Sequence, residues 1–430
     1  MPRTDLCVFK FGGASVKNAD AIRNVVNIIK ESKQQKLVVV VSAIGKSTNA
    51  LEEVVKAHSK GKDGRVFLQK VQADHYKICQ ELFGDSHPIN DQLNDIFVEA
   101  DWVLDEPPHE SFDYMYDQIV SVGELASSRI LSAYLQETGV AAHWLDARDV
   151  VKTDNLYREA WVEWDATERA AKEKALPIIE QNLIPVTQGF IGSSSENFTT
   201  TLGREGSDYT AAILSYCLDA KEMVIWKDVP GVLTADPRKF EKVTKLDRLS
   251  YREAIEMTYY GAKVIHPKTI KPLQNKSIPL LVKSFIDPDG TGTKISSDVV
   301  DNYPPMVAIE EVQALLNIST RDFSFVAEHH LSQLFKLIAK HRLQVHMMQN
   351  TAISFAVSVS DVENRVNDFA KAIEKDFIVQ VERGVELITI RHYSKEILKS
   401  LQTNKIVLLE ERMRNTIQMV VKNIPLMVRK

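Results

Sequence analysis

The feature that most constrains this chain is its beginning, where an apolar run from Leu6 to Phe11 leads directly into Gly12, Gly13, Ala14 and Ser15. A short apolar run ending on paired glycines reads as a strand followed by a tight turn. Lys10 lies inside the run. Glycines after a strand let backbone N–H groups close on an anion, and a lysine beside them adds positive charge. KFGGAS therefore reads as a phosphate site, although the same text also serves as a plain structural turn. Two further segments favour the phosphate reading. TTTLGREGSDYTAA, from Thr199 to Ala212, runs into an apolar helix, and KDVPGVLTADPR, from Lys227 to Arg238, follows an apolar strand from Met223 to Trp226.

Strand and helix signals alternate behind this opening. Ile22, Val25, Val26 and Ile29 share one face of a helix beginning near Asn18, and Leu37 to Val41 is a continuous β-branched run of the kind buried on both sides. Residues 48–110 read as a polar, helix-rich excursion from the sheet, followed by one long helix from about Met115 to Glu137. Later strands are expected at Ala141 to Leu145, Leu183 to Thr187, Met223 to Trp226 and Ile278 to Val282. The alternation predicts an α/β fold, a mostly parallel sheet sandwiched by helices. Ile286 to Asp298, IDPDGTGTKISSD, is crowded with turn formers and is expected to be the domain boundary, giving a catalytic domain over 1–290 and a second region over 300–430. In that region Leu315 to Ser319, a helix around Leu331 to Ala339, and strands at Leu343 to Met348 and Ile353 to Val359 form one strand-helix-strand-strand unit. The order recurs at Leu387 to Arg391, Lys395 to Leu401, Ile406 to Leu409 and Thr416 to Val421, which suggests a repeat of an α+β module. The second copy lacks a final helix.

Bulk properties narrow the partners. A net charge of −5 gives no general attraction to nucleic acid or acidic membranes, and no apolar run approaches a membrane span. With no room for a signal peptide before the first strand, a cytoplasmic protein is expected. The three cysteines, Cys7, Cys79 and Cys217, are scattered, which argues against a zinc site or a disulfide framework and for buried small hydrophobes.

With these segments in hand, the chain resembles the aspartate kinases, the amino-acid-kinase branch that phosphorylates the side-chain carboxylate of aspartate. KFGGASV, TLGREGSD, KDVPGVLTADPR and MTYYGAKVIHP stand in the order of the family's KFGGTSV, TLGRGGSD, TDVDGVYTADPR and MSYFGAKVLHP. The resemblance implies the amino-acid-kinase fold, with a C-terminal pair of ACT modules, the amino-acid-sensing units of this family. It implies transfer of the γ-phosphoryl of ATP to L-aspartate, the first step of lysine, threonine and methionine synthesis, with Mg2+ bridging the ATP phosphates mainly through water. No protein metal cage is visible, and no homoserine dehydrogenase fusion is expected. Two alternatives stand beside it: an amino-acid-kinase relative acting on glutamate, carbamate or a nucleotide, and a catalytically silent ACT sensor.

Phosphoryl transfer asks mainly for positioning and charge neutralisation. A carboxylate acceptor has no proton to remove, so no general base is needed. By resemblance Lys10 stabilises the transferred phosphoryl, with Gly12 and Gly13 as backbone donors, and Asp208 organises Lys10, although an aspartate opening a helix also serves as an N-cap. Ser42, at a strand's C-terminal end, and Thr48 are implied as hydroxyl contacts to aspartate. Glu124 in SVGE is implied as holder of its α-amino group, where composition alone would favour a solvated surface residue. Arg204 can grip the α-carboxylate in a bidentate fork, with Ser207 beside it. By the same resemblance Lys227, Asp228, Gly231, Leu233, Arg238 and Lys263 look like the nucleotide side, with a snorkelling helical lysine as the lesser reading of Lys263. Two departures stand out: Glu205 where the family commonly has glycine, and Leu233 where it has tyrosine. GKST at Gly45 to Thr48 mimics a P-loop end, but the required upstream glycine is Val40.

LQVHMMQNTAISF resembles the ACT effector loop, with Gln349 and Asn350 as amide ligands for threonine or lysine. His346 stands where the lysine-sensitive pattern has aspartate, and Thr351 and Ala352 where it has a Ser-Glu pair. Losing both carboxylates leaves a lysine ammonium without partners, so threonine is the better candidate effector. A homodimer or higher homo-oligomer formed through this region is expected.

Overall fold

The computed structural model describes residues 5–424 apart from 33, 35, 263–264, 299–301, 323 and 363. The chain divides into two compact units, one of Met1–Val232, Lys245–Ile255 and Val264–Val300, the other of Leu233–Thr244, Glu256–Lys263 and Asp301–Lys430. The sequence suggests one crossing near residue 290. The units instead exchange two earlier segments, among them the one carrying Leu233 and Arg238.

The first unit begins with β1 (Leu6–Phe11), α1 (Ala19–Glu31), β2 (Lys36–Val41), α2 (Ser47–His58), α3 (Arg65–Phe83), α4 (Ile89–Asp105), α5 (Phe112–Val120) and α6 (Val122–Glu137). It continues with β3 (Ala142–Leu145), α7 (Ala147–Val150), α8 (Trp164–Glu180), β4 (Ile184–Gln188), β5 (Ile191–Ser193), β6 (Thr199–Thr201), α9 (Gly206–Cys217) and β7 (Glu222–Lys227). β8 (Arg248–Ser250), α10 (Tyr251–Tyr259), α11 (Pro267–Asn275), β9 (Leu280–Ser284) and β10 (Thr293–Ser296) follow, α10 running on into the second unit's segment. The main sheet has the order β3-β4-β2-β1-β7-β9-β10-β8, parallel throughout except where β10 meets β9. β1 and β2 sit in its middle, which is why both are apolar along nearly their whole length. Cys7, Phe9 and Phe11 alternate onto the face shared with α1 and α6, where Phe11 stacks on Trp226. Strand periodicity sends Lys10 to the opposite face, against α9.

Two expectations change. The helix read over Met115 to Glu137 is two helices meeting at Ser121, because the apolar periodicity continues across the break and hides it. The boundary segment Ile286 to Asp298 contains strand β10. Its single apolar residue, Ile295, gives little strand signal, whereas buried Thr293 locks it by accepting from the Val232 N–H at 2.8 Å and donating to the Leu246 carbonyl. All three cysteines are buried, and burial pushes their thiols up to about 12.

The second unit carries β11 (Met306–Thr320), α12 (Glu328–Lys340), β12 (Val345–Asn350), β13 (Ser354–Ser360), α13 (Arg365–Ile373), β14 (Phe377–Arg391), α14 (Lys395–Gln402), β15 (Lys405–Met413) and β16 (Thr416–Asn423). One antiparallel sheet of order β12-β13-β11-β14-β16-β15 joins both repeats, with the long strands β11 and β14 side by side at its centre. Leu316 and Ile318 pack with α12 and α13, and Ile388 and Ile390 pack with α14. Among the described residues no helix follows β16, whereas α13 follows β13.

Candidate functional site

β1 and β2 are parallel and in register from Leu6 opposite Lys36 to Phe11 opposite Val41, so their C-terminal ends reach one edge of the sheet together. The loops that follow are tied to each other. Ser42 N–H donates to the Phe11 carbonyl and Gly45 N–H to the Gly13 carbonyl, each at 3.0 Å. A Cβ on Gly13 would lie 2.7 Å from the Ala43 carbonyl oxygen and 2.8 Å from that of Gly45, so only glycine lets the two loops meet. Gly12, beside it, leaves the Lys10 ammonium uncovered on that side.

Lys10 is almost fully buried, and its Nζ lies 2.6 Å from Oδ1 of Asp208 in the first turn of α9. Lys227, at the end of β7, approaches Oδ2 of the same carboxylate at 3.9 Å. Burial alone would raise the Asp208 carboxyl, but the charges of Lys10 and Lys227 outweigh it and hold the group below the usual carboxylate range. The helix N-terminus favours the anion further. Two ammonium groups facing one carboxylate leave an excess of one positive charge at the glycine turn, which suits a phosphoryl group.

The break between α5 and α6 turns Glu124 inward. Gly123 permits this, since a Cβ there would lie 3.0 Å from Leu51 Cδ1 and 3.3 Å from Ala43 Cβ. Ser127, one turn on, donates to the Ser42 carbonyl at 2.7 Å. Glu124 is 2 % exposed, and burial pushes its carboxyl up to about 8. Hydrogen bonds from its own and the Ala43 backbone N–H and from the Thr48 hydroxyl, with the charge of Lys10, pull it the other way and do not prevail. Its Oε2 is buried with no hydrogen-bond partner among the described residues, so it is poised for a cationic donor. Ser42, on the loop after β2, and Thr48, in the first turn of α2, are both half-buried on this side of Glu124.

Arg204 is exposed on the turn from β6 into α9. Glu205 follows in the left-handed region, φ +55°, which accounts for the glycine common there in the resemblance. Its carboxylate accepts from the His266 N–H at 3.0 Å, so its negative charge is held at the start of α11. Ser207 is buried against Gly189, where any Cβ would lie 2.4 Å from its own.

Sequence reasoning missed Asp117. It is fully buried on α5 and accepts from Thr201 N–H at 2.8 Å, Thr201 Oγ1 at 2.7 Å and Arg158 N–H at 2.9 Å. Burial pushes its carboxyl up to about 7 against those bonds. The signal was an acid inside an apolar helical stretch, next to Tyr116, Ile119 and Val120.

The residues read as a nucleotide site are divided. Lys227 joins Asp208, and Asp228 beyond it is exposed. Gly231, φ +150°, could not carry a Cβ, which would fall 2.4 Å from Thr293 Oγ1. Leu233, half-buried, and Arg238 belong to the second unit, where Arg238 forks onto Asp236 at 3.0 and 2.7 Å and lowers that carboxyl to about 2. Lys263 lies outside the described residues. Gln349 and Asn350 are exposed at the end of β12, while half-buried His346 lies between Glu310 (2.8 Å) and Ser360 (2.7 Å). Among the described residues no group of three or more His, Cys, Asp or Glu is placed to hold a metal, and no helix is long and apolar enough to cross a membrane.

Residues 5–284 match the amino acid kinase family. Over 400 residues the chain is 31% identical to lysine-sensitive aspartokinase 3 of Escherichia coli (strain K12), covering 90% of this chain and 87% of that one. Among solved structures it is similar to E. coli aspartokinase III in complex with aspartate and ADP, in the R-state, with a TM-score of 0.83 at 27% identity over 97% of this chain and 96% of that one. The same enzyme in complex with lysine and aspartate, in the T-state, gives a TM-score of 0.82 at 28% identity, with the same coverage.

Proposed function

The chain belongs to the amino acid kinase family and, within it, to the aspartokinases, and from that premise we propose how its residues divide the work. The reaction is ATP-dependent phosphorylation of L-aspartate. A side-chain carboxylate oxygen attacks the γ-phosphorus, the bond to the bridging oxygen breaks, and ADP leaves with the electron pair, giving 4-phospho-L-aspartate. The acceptor brings no proton, so Asp208 is no base. It holds Lys10 against the transferred phosphoryl, and Lys227 adds charge on the leaving-group side. The Gly12–Gly13 turn offers backbone donors. Arg204 receives the α-carboxylate and Glu124 the α-ammonium, with Ser42, Thr48 and Ser207 as hydroxyl contacts. An incoming ammonium restores the ionised form of Glu124 that burial disfavours.

The single observation that carries this reading is the Lys10–Asp208 ion pair at the glycine turn. Mg2+ fits as an ion carried on ATP: Asp208 is committed to two lysines, and Mg2+ keeps water and phosphate oxygens as ligands, where it supplies charge neutralisation. Asp228, next to Lys227 after β7, continues the nucleotide side.

For regulation we favour threonine over lysine, because His346 and Ala352 remove two acidic partners for a lysine ammonium. Asn350, and Gln349 next to it, would contact the effector. β12 and β15 are edge strands, which suits homo-oligomer formation through the second unit in a cytoplasmic enzyme. An acceptor panel tests the assignment: ATP-dependent hydroxamate formation in the presence of hydroxylamine should occur with L-aspartate and not with L-glutamate. Turnover with glutamate or carbamate instead would overturn it.

A further inference from the structure

β6 is a three-residue strand whose two edges face different partners. Thr200 and its even-numbered neighbours turn their backbone groups toward β5 and the turn before it, as in Leu202 N–H to the Phe190 carbonyl at 2.9 Å. Thr199 and Thr201 turn theirs the other way, where no strand of the described sheet lies. Adjacent side chains of α5 supply that edge. The Gln118 amide donates to the Thr199 carbonyl at 2.8 Å and accepts from its N–H at 3.3 Å. Asp117 accepts from both the N–H and the hydroxyl of Thr201. The Thr201 carbonyl receives the Ala160 N–H at 2.9 Å, and Asp117 also receives the Arg158 N–H. Residues 158–160 are thereby strapped across the strand end, with Arg158 itself at φ +68° and a Cβ on Gly203 only 3.2 Å from the Arg158 carbonyl oxygen.

Three segments thus converge on one buried carboxylate: α5, which leads through Ser121 to Glu124; the strap 158–160; and Thr201, which leads through Leu202 and Gly203 to Arg204. Fully buried Asp117 has no route to substrate. We propose that Asp117 is a positioning residue for the amino-acid substrate, fixing the end of β6, and with it the turn that carries Arg204, against the helix pair that carries Glu124. Buried groups with every partner supplied are costly to disturb and hold one geometry, which a gripping turn needs. This inference rests on the assignment of Arg204 to the α-carboxylate.

The test is a kinetic double-mutant cycle of Asp117→Ala and Arg204→Ala, with Asp117→Asn as the conservative variant. Asp117→Ala should raise the aspartate KM about tenfold, as expected when a charge-assisted hydrogen bond is lost, with the ATP KM nearly unchanged. Asp117→Asn should recover most of this, since one amide oxygen can accept both backbone N–H groups now held by Oδ2. In the Arg204→Ala background Asp117→Ala should add little to the aspartate KM. Fully additive effects, or a loss of active enzyme with an unchanged aspartate KM, would overturn the proposal. If Arg204→Ala alone leaves the aspartate KM unchanged, the assignment of Arg204 fails instead. Should Asp117→Ala not fold, Thr201→Val removes only the hydroxyl donor, and the proposal then requires a raised aspartate KM in that variant.

Discussion

Glu124 offers a stability measurement that probes the proposed amino-acid site without any turnover. Its carboxyl stands at about 8 in the folded protein against the ordinary glutamate value of 4.5, raised chiefly by burial. A carboxyl raised on folding takes up a proton, so its contribution favours the folded state least at high pH: nothing is lost below 4.5, and stability falls as pH rises from there to 8. Integrating that shift gives a loss of about 3 kcal/mol between pH 5 and pH 8 attributable to this one group. Glu124→Gln removes the titration and keeps the shape. The variant should therefore match or slightly exceed the wild type at pH 5 and exceed it by about 3 kcal/mol more at pH 8. Urea unfolding followed by tryptophan fluorescence at both pH values measures this difference. The same variant should bind aspartate more weakly, because a neutral amide is a poorer partner for an ammonium than a carboxylate. Saturating aspartate should narrow the stability gap at pH 8. A gap that does not change with pH would refute the reasoning, since it would mean that burial does not control the Glu124 proton.

Three further outcomes follow from the geometry. Arg204→Ala should raise the aspartate KM with a smaller effect on ATP, whereas an effect confined to ATP in initial-rate kinetics would move Arg204 to the nucleotide side. Gly13→Ala should destabilise the first unit by about 1–3 kcal/mol and abolish most activity, because its methyl would be forced to within 2.8 Å of two carbonyl oxygens; a thermal melt with an unchanged midpoint would contradict this. Calorimetric titration should detect threonine binding that weakens in Asn350→Ala and little binding of lysine alone, and strong lysine binding that ignores Asn350 would sink the regulatory reading.

Much of the first unit was legible because its motifs follow directly on apolar strand ends. β1, β2 and β7 are buried on both faces, so their apolar runs stand out, and the glycine turns and charged residues after them are read in order. What escaped was set by tertiary contact. The Ser121 break leaves the helical periodicity intact, so nothing local separates α5 from α6. β10 is held by the Thr293 hydroxyl rather than by apolar alternation. Asp117 belongs to no motif, and its role depends on Thr201 and Arg158, 84 and 41 residues away. Glu205 was visible as a departure, but only its φ and the His266 N–H explain how a side chain with a carboxylate is accommodated there. The exchange of 233–244 and 256–263 between units leaves no composition shift to read.

The central claim is that Lys10, held by Asp208 at the glycine turn, neutralises the phosphoryl group in flight. The most direct test is the turnover of Lys10→Ala with saturating ATP and aspartate, alongside its urea unfolding curve. Loss of one preorganised charge at such a site costs about 3–4 kcal/mol of barrier, so kcat should fall by at least about 10²-fold in a folded protein. A folded Lys10→Ala enzyme that turns over at a near wild-type rate would contradict the account.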